Sequence, residues 1–129
     1  MNPDILMLFD KMPDVLPLYE AAEALILMLF PDVSIKVSKT QVGFSNRYAF
    51  AFLWPPNRKI KGRPGRYIVL TFGLGRRAEH ERIVESVEPY PGRWTHHVLI
   101  SSTDELDEQV RDWLREAYDF SMMKGRRKP

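Results

Sequence analysis

The chain has 129 residues, with 44% hydrophobic and 28% charged side chains and a formal net charge of +2. This size and balance fit one ordinary folded domain and argue against a disordered or an integral membrane protein. Because cysteine is absent, disulfide scaffolds, thiolate zinc sites, iron–sulfur clusters and cysteine nucleophiles are excluded.

A single cytoplasmic domain is expected over residues 1–120, followed by a basic, flexible tail over residues 121–129. The first residues lack the basic, apolar pattern of a signal peptide. The longest apolar run, Ala24 to Phe30, is too short to cross a bilayer, so no membrane contact is expected.

The beginning of the chain has helical periodicity. A short helix is expected from Pro3 to Asp10, since proline and aspartate are favourable at a helix start. A longer helix is expected from Asp14 to Phe30, where apolar residues recur at helical spacing. Pro17 is compatible with this helix because it falls in the first turn, and Pro31 ends it.

From Val33 onwards, apolar residues alternate with polar ones, a period of two that is typical of half-buried strands. Segments rich in proline and glycine separate the alternating stretches, and one helical turn is expected at Ala78 to Arg82. The strands are expected within residues 33–44, 48–54, 66–72, 83–88 and 94–101.

The stretch 48–54 alternates aromatic with smaller side chains. The smaller side chains would face a helix that packs closely against the sheet. The aromatic residues expected together on one face are Tyr48, Phe50, Phe52 and Trp54.

The last element is predicted to be an amphipathic helix. Residues 102–105 match a capping box, and one apolar stripe follows. The order of elements predicts an α+β fold, in which N-terminal and C-terminal helices pack on one face of an antiparallel β-meander of about five strands. The stripe consists of Leu106, Val110, Trp113, Leu114, Ala117 and Tyr118.

The small net charge hides an uneven distribution. Residues 33–78 carry ten basic and no acidic side chains, whereas residues 1–32 and 79–120 are both net negative. This arrangement favours contact between the central segment and an acidic partner. The ten cations are Lys36, Lys39, Arg47, Arg58, Lys59, Lys61, Arg63, Arg66, Arg76 and Arg77.

Half of these cations lie in the predicted loop over residues 57–66. A cationic loop between two strands can lie along a phosphate backbone, which makes it a candidate nucleic-acid contact. The alternative is a solvated hairpin whose charges and prolines prevent edge pairing. The five basic residues of this loop are Arg58, Lys59, Lys61, Arg63 and Arg66.

A second candidate for anion binding follows the third expected strand, over residues 66–72. Residues 73–78 match the string GxGxxA, but the antiparallel surroundings do not fit a dinucleotide fold. A simpler anion pocket would use the glycine backbone together with Arg76 and Arg77.

No metal or cofactor is expected from the sequence. His96 and His97 are adjacent on a predicted strand, so their side chains point to opposite faces and cannot share one ion. No Ser–His–acid spacing, nucleophile elbow or carboxylate pair stands out, which favours a binding protein over an enzyme.

Three segments resemble a small uncharacterised bacterial family, described as a domain of unknown function and found alone or as a C-terminal module. They are residues 39–47 (KTQVGFSNR), residues 88–97 (EPYPGRWTHH) and the closing helix from Glu105 through Trp113 to Tyr118. The chain is also distantly similar to MmcQ/YjbR-like and YdhG-like domains. The resemblance implies an α+β fold in the bacterial cytosol, with DNA-binding and ligand- or iron-handling roles suggested for those distant relatives, and it supplies no catalytic residues.

Three functional hypotheses remain open, for a chain expected to be a monomer or a weak homodimer. The first is a non-enzymatic module that binds nucleic acid or another polyanion through residues 33–78. The second is a small-ligand pocket, with or without catalysis, formed by Lys39, Gln41, Arg93, Trp94 and His96. The third is an interaction domain whose basic sheet face meets an acidic protein or an acidic helix of a second copy.

Overall fold

A computed structural model describes residues 2–56, 58 and 60–123. The described part contains three α-helices and six β-strands, with short 3-10 helices at Pro13–Val15 and Thr103–Glu105. The helices are α1 (Pro3–Leu8), α2 (Leu16–Leu29) and α3 (Glu108–Met122). The strands are β1 (Ser34–Val37), β2 (Val42–Ser45), β3 (Ala49–Trp54), β4 (Ile68–Leu74), β5 (Ile83–Tyr90) and β6 (Arg93–Ile100).

The six strands form one sheet in the order β1-β2-β3-β4-β6-β5, and every neighbouring pair is antiparallel. The predicted α+β fold is therefore confirmed, with six strands instead of about five. The additional strand arises because residues 33–44, expected to continue as one strand after a turn near Lys39 and Thr40, form two paired strands, and the pair Val37 and Val42 closes this hairpin. The sheet is a meander from β1 to β4, after which β6 lies between β4 and β5.

Residues 75–82, here called the crossover, connect β4 to β5 across β6. The helical turn expected at Ala78 to Arg82 is absent, and the structure assigns no helix to this segment. Ala78 is buried, and its N–H donates a 2.9 Å hydrogen bond to Nε2 of His96 on β6. At the start of the crossover, a Cβ atom on Gly75 would lie 2.8 Å from the Phe120 ring, so α3 approaches this backbone closely.

The helix boundaries follow from local chemistry. The Asn2 side chain accepts a hydrogen bond from the Asp4 N–H and caps α1, with proline in the first turn. Proline also occupies the first turn of α2, as predicted. The predicted capping box instead caps the 3-10 helix at Thr103–Glu105, and α3 begins later, capped by Asp107.

All three helices pack on one face of the sheet. One buried cluster joins the helices to the inward side chains of β2, β3, β4 and β6. An aromatic group ties the ends of α2, β3 and α3 together, since the ring of Tyr118 stacks on Phe30 at 4.6 Å and meets Phe50 edge-on at 5.2 Å. The predicted stripe of α3 thus forms part of the core, and α3 also includes the first two residues of the predicted tail.

The expected aromatic face of β3 is wrong for two of its four residues, because Tyr48 lies before the strand and the strand is irregular at Phe50. Phe44 pairs with Ala51 and Ser45 pairs with Ala49, so Phe50 is an extra residue in the ladder. Because of this bulge, the side chain of Phe50 lies in the core on the helix side of the sheet. Phe52 and Trp54 remain on the opposite face.

Replacing Leu114 with alanine tests the packing of α3 against the sheet. Leu114 is fully buried in the core cluster, so the free energy of unfolding should fall by about 2–5 kcal/mol in a urea titration. The control is Met28→Ala on the exposed side of α2, which should change it by less than about 0.5 kcal/mol. A loss below about 1 kcal/mol for Leu114→Ala would contradict this packing.

Candidate anion-binding site

Strand direction divides the basic segment between the two ends of the sheet. The β1–β2 turn and the β3–β4 loop lie at one end, here called the loop end, because β1 and β3 run in the same direction. The β2–β3 turn and the end of β4 lie at the other end. The basic segment therefore does not form one continuous positive face.

The arginines at the end of β4 contact acidic side chains. Arg76 forms two hydrogen bonds of 2.8 Å with the carboxylate of Glu116 on α3, which holds the pKa of Glu116 below its usual range. Arg77 lies 3.6 Å from Glu79 and over the ring of Trp94. At the anion pocket predicted around Arg76 and Arg77, both arginines therefore already contact other side chains. The hydrogen bonds of Arg76 also link the crossover to α3.

At the loop end a cavity of about 760 Å³, here called the loop pocket, lies between the end of α1, the β1–β2 turn and the β3–β4 loop. Its volume is within the range of small-molecule binding sites. Both cationic and apolar side chains line it. The cations are Lys11, Lys39, Arg58, Lys61 and Arg63.

The cations of the loop pocket are not neutralised. None of them forms an ion pair within the part of the chain that the structure describes, and Asp10 is the single acidic residue among the described lining residues. By contrast, Arg66 of the same loop lies 3.5 Å from Asp14. Like charges that converge on a cavity raise the electrostatic potential there, which favours the entry of an anion.

Tyr67 is a lining residue of the loop pocket that carries an unpaired polar atom. The residue is only 3% exposed, and its hydroxyl is buried with no hydrogen-bond partner among the described residues. Leaving a buried hydroxyl unpaired costs about 1–3 kcal/mol, so such groups usually have a partner.

The residues of the predicted small-ligand pocket do not come together. Lys39 and Gln41 lie at the loop end, whereas Arg93 and Trp94 begin β6 at the opposite end. Arg93 and Trp94 line a separate cavity of about 210 Å³. His96 is fully buried, so its imidazole belongs to the core.

The two adjacent histidines lie on opposite faces of the sheet, as predicted. Burial lowers the pKa of His96, and the positive charge of Arg76 lowers it further. His97 lies on the face without helices, where Nδ1 is 2.7 Å from the Thr71 hydroxyl, and Thr71 also accepts a hydrogen bond from the Trp54 indole. Burial is also the main cause that lowers the pKa of His97. Across the described residues, no group of three or more histidine or carboxylate side chains is placed to hold a metal ion.

Sequence reasoning found part of the loop pocket and missed part. It identified Lys39, Arg58, Lys61 and Arg63, while Lys59 lies outside the described residues. It missed Lys11 and Tyr67. Neither carries a local signal, since Lys11 is an isolated cation in an acidic stretch and Tyr67 resembles any other strand aromatic.

Residues 7–121 match the family described as a domain of unknown function, DUF5655. The chain belongs to this family. The predicted resemblance to an uncharacterised family is thereby confirmed, while the distant similarity to MmcQ/YjbR-like and YdhG-like domains stays a prediction. None of the curated proteins and none of the solved structures matches the chain. None of the described helices is long and apolar enough to cross a membrane.

The buried imidazole of His96 should make stability depend on pH. The native state keeps His96 neutral below the usual pKa of about 6.5, whereas the unfolded chain binds a proton there, so stability should fall as the pH drops from 6.5. In His96→Gln this contribution should disappear, which reduces the slope between pH 5 and 6.5 by up to about 1.4 kcal/mol per pH unit. Urea unfolding at several pH values measures the slope.

The matched control is His80→Gln, which removes an exposed histidine of the crossover. The change of slope in His96→Gln should exceed the change in this variant. If His96→Gln leaves the slope unchanged, His96 does not carry the pH dependence.

Proposed function

We propose that this domain is a non-enzymatic binding module for an anionic ligand, and that a phosphate or carboxylate group of the ligand enters the loop pocket. One observation carries the proposal: five cations without an ion pair among the described residues line one cavity, together with Tyr67, whose buried hydroxyl has no partner among those residues. Phosphate and carboxylate groups can accept hydrogen bonds from both kinds of donor.

The alternative of a merely solvated hairpin accounts for less of this arrangement. A solvated loop tip would leave its cations apart in water, with nothing buried beside them. Here Lys11 and Lys39 come from other segments and face the same cavity as Arg58, Lys61 and Arg63. Three separate parts of the chain therefore contribute positive charge to one place, where a single anion could contact several of them.

Nucleic acid is the polyanion that we propose to test first. Its phosphates would contact the cations at the loop end, while Arg47, Arg76 and Arg77 lie at the opposite end of the sheet. The contact should therefore be short and independent of sequence, because phosphate contacts position a protein without reading bases.

The salt dependence of binding tests this contact. If Lys39, Arg58, Lys61 and Arg63 each engage one phosphate, the affinity for duplex DNA should fall with log salt at a slope of about −3.6, from about −0.9 per contact. The double variant Lys61→Gln/Arg63→Gln should reduce the slope to about half. Fluorescence anisotropy with labelled oligonucleotides measures the slopes of the wild type and of the double variant. The salt concentration is varied from about 50 to about 200 mM, a range over which such affinities change strongly.

A charge-matched control is Arg47→Gln/Arg77→Gln, which also removes two cations but at the other end of the sheet. This control should retain the slope of the wild type. A second outcome is that inorganic pyrophosphate binds and oligonucleotides do not. If Lys61→Gln/Arg63→Gln then abolishes pyrophosphate binding and the control does not, the pocket binds a small anion instead of nucleic acid. If neither probe binds at low salt, the proposed function is wrong.

Tyr67→Phe separates a ligand-binding hydroxyl from a structural one. Without ligand, the free energy of unfolding of the variant should equal that of the wild type or exceed it by up to about 1 kcal/mol, because the substitution removes an unpaired buried group. Its affinity for the anion should fall by roughly 5- to 10-fold, the loss expected for one hydrogen bond. A clear loss of stability without ligand would instead indicate that the hydroxyl has a partner within the protein.

A further inference from the structure

A second cavity lies next to the loop pocket along α1. This second cavity, of about 420 Å³, is lined by Asp4, Val37 and Ser38 and shares Met7, Leu8 and Lys39 with the loop pocket. The two adjacent cavities, here together called the groove, extend from the cationic loop, past Lys39, to the end of β1. Lys39 therefore stands at the junction between a cationic and a less charged section.

The groove has apolar walls that remain partly exposed. Met7 is 76% exposed and Ile60 is 39% exposed, while Leu8 and Met12 are partly buried and pack against the core. Met7 and Ile60 therefore expose apolar surface beside the cationic cluster, and a ligand with an apolar part would bury it. The groove therefore combines an anion-binding end with apolar surface along its length.

We infer that the anion bound by the loop pocket carries an aliphatic chain: the ligand is an amphiphile with a phosphate or carboxylate head. The head lies among Lys39, Lys61 and Arg63, and the chain lies along Met7 and Leu8 towards Val37. This inference rests on the proposed function, because it requires that an anion enters the loop pocket, and it names an amphiphile rather than nucleic acid as that anion.

The apolar side chains that line the groove suit an aliphatic chain better than a planar nucleobase. Among the described lining residues, Tyr67 is the single aromatic side chain of the loop pocket, and it is almost entirely buried. A nucleobase binds best on an exposed aromatic ring, which this groove does not offer. Methionine and leucine side chains are flexible and adapt to an aliphatic chain.

A homologous series of n-alkyl phosphates tests the inference. Each added CH₂ group that becomes buried should raise the affinity by up to about fourfold, so hexyl phosphate, with four more CH₂ groups, should bind up to roughly 250-fold more tightly than ethyl phosphate. Isothermal titration calorimetry with the full chain, below the micelle concentration of each probe, measures this ratio. Both probes carry the same head, so the ratio reports the chain alone.

Two exposed methionines provide matched variants. Met7→Gln should reduce the affinity ratio of hexyl to ethyl phosphate at least threefold and leave the affinity for ethyl phosphate unchanged. Met28→Gln, which replaces a 66% exposed methionine on α2 away from the groove, should leave the ratio as in the wild type. Lys61→Gln/Arg63→Gln should weaken both probes by the same factor, because it affects the head.

The possible outcomes separate this inference from the proposed function. Equal affinity for ethyl and hexyl phosphate overturns the inference and leaves anion binding intact. Absence of binding to every alkyl phosphate and to pyrophosphate overturns both. A steep chain-length dependence that Met7→Gln does not reduce also overturns the inference, because the chain then lies elsewhere.

A membrane lipid and a free metabolite could both supply this chemistry, and vesicles distinguish them. Vesicles of an anionic phospholipid that displace bound hexyl phosphate would identify a lipid as the source. Vesicles that leave hexyl phosphate bound would identify a free amphiphile. Either result supports an anionic head with an aliphatic chain as the ligand.

Discussion

Antiparallel pairing of β1, β2 and β3 is the constraint on which the loop pocket depends. Two reversals of direction bring the β1–β2 turn and the β3–β4 loop to the same end of the sheet, although about 20 residues separate Lys39 from Lys61. The same alternation sends Arg47 to the opposite end. The charge pattern of the sequence is therefore converted into a local cluster by strand direction alone.

The passage of the crossover over β6 is a comparable constraint on the other half of the sheet. Because β6 lies between β4 and β5, the chain must pass over β6 on the helix side, where a backbone segment would leave an N–H unsatisfied. His96 solves this problem by accepting the hydrogen bond of Ala78. His96, a candidate ligand-binding residue in the sequence, therefore has a structural role, because it accepts a hydrogen bond from the backbone of the crossover.

The loop end contrasts with the crossover in its ion pairing. Five cations line the loop pocket without an ion pair among the described residues, and the Tyr67 hydroxyl, like Nδ1 of His96, is buried without a hydrogen-bond partner among them. Both features lower stability in the absence of a ligand, whereas Arg76 and Arg82 elsewhere in the fold are paired. Natural proteins commonly accept such local costs where they bind something, and this contrast makes the loop pocket the best-supported functional region.

The sequence by itself determined the elements whose signals are local. Apolar periodicity, capping residues and proline positions determined the three helices and most strands, because each depends on neighbours within a few residues. Charge counting also located Lys39, Arg58, Lys61 and Arg63 as candidates. Only the tertiary structure decided the bulge at Phe50, the position of β6, and the meeting of Lys11 and Tyr67 with the basic loop. These features depend on which distant strands pair and in which register, and that choice is made by the packing of the whole core rather than by any short segment.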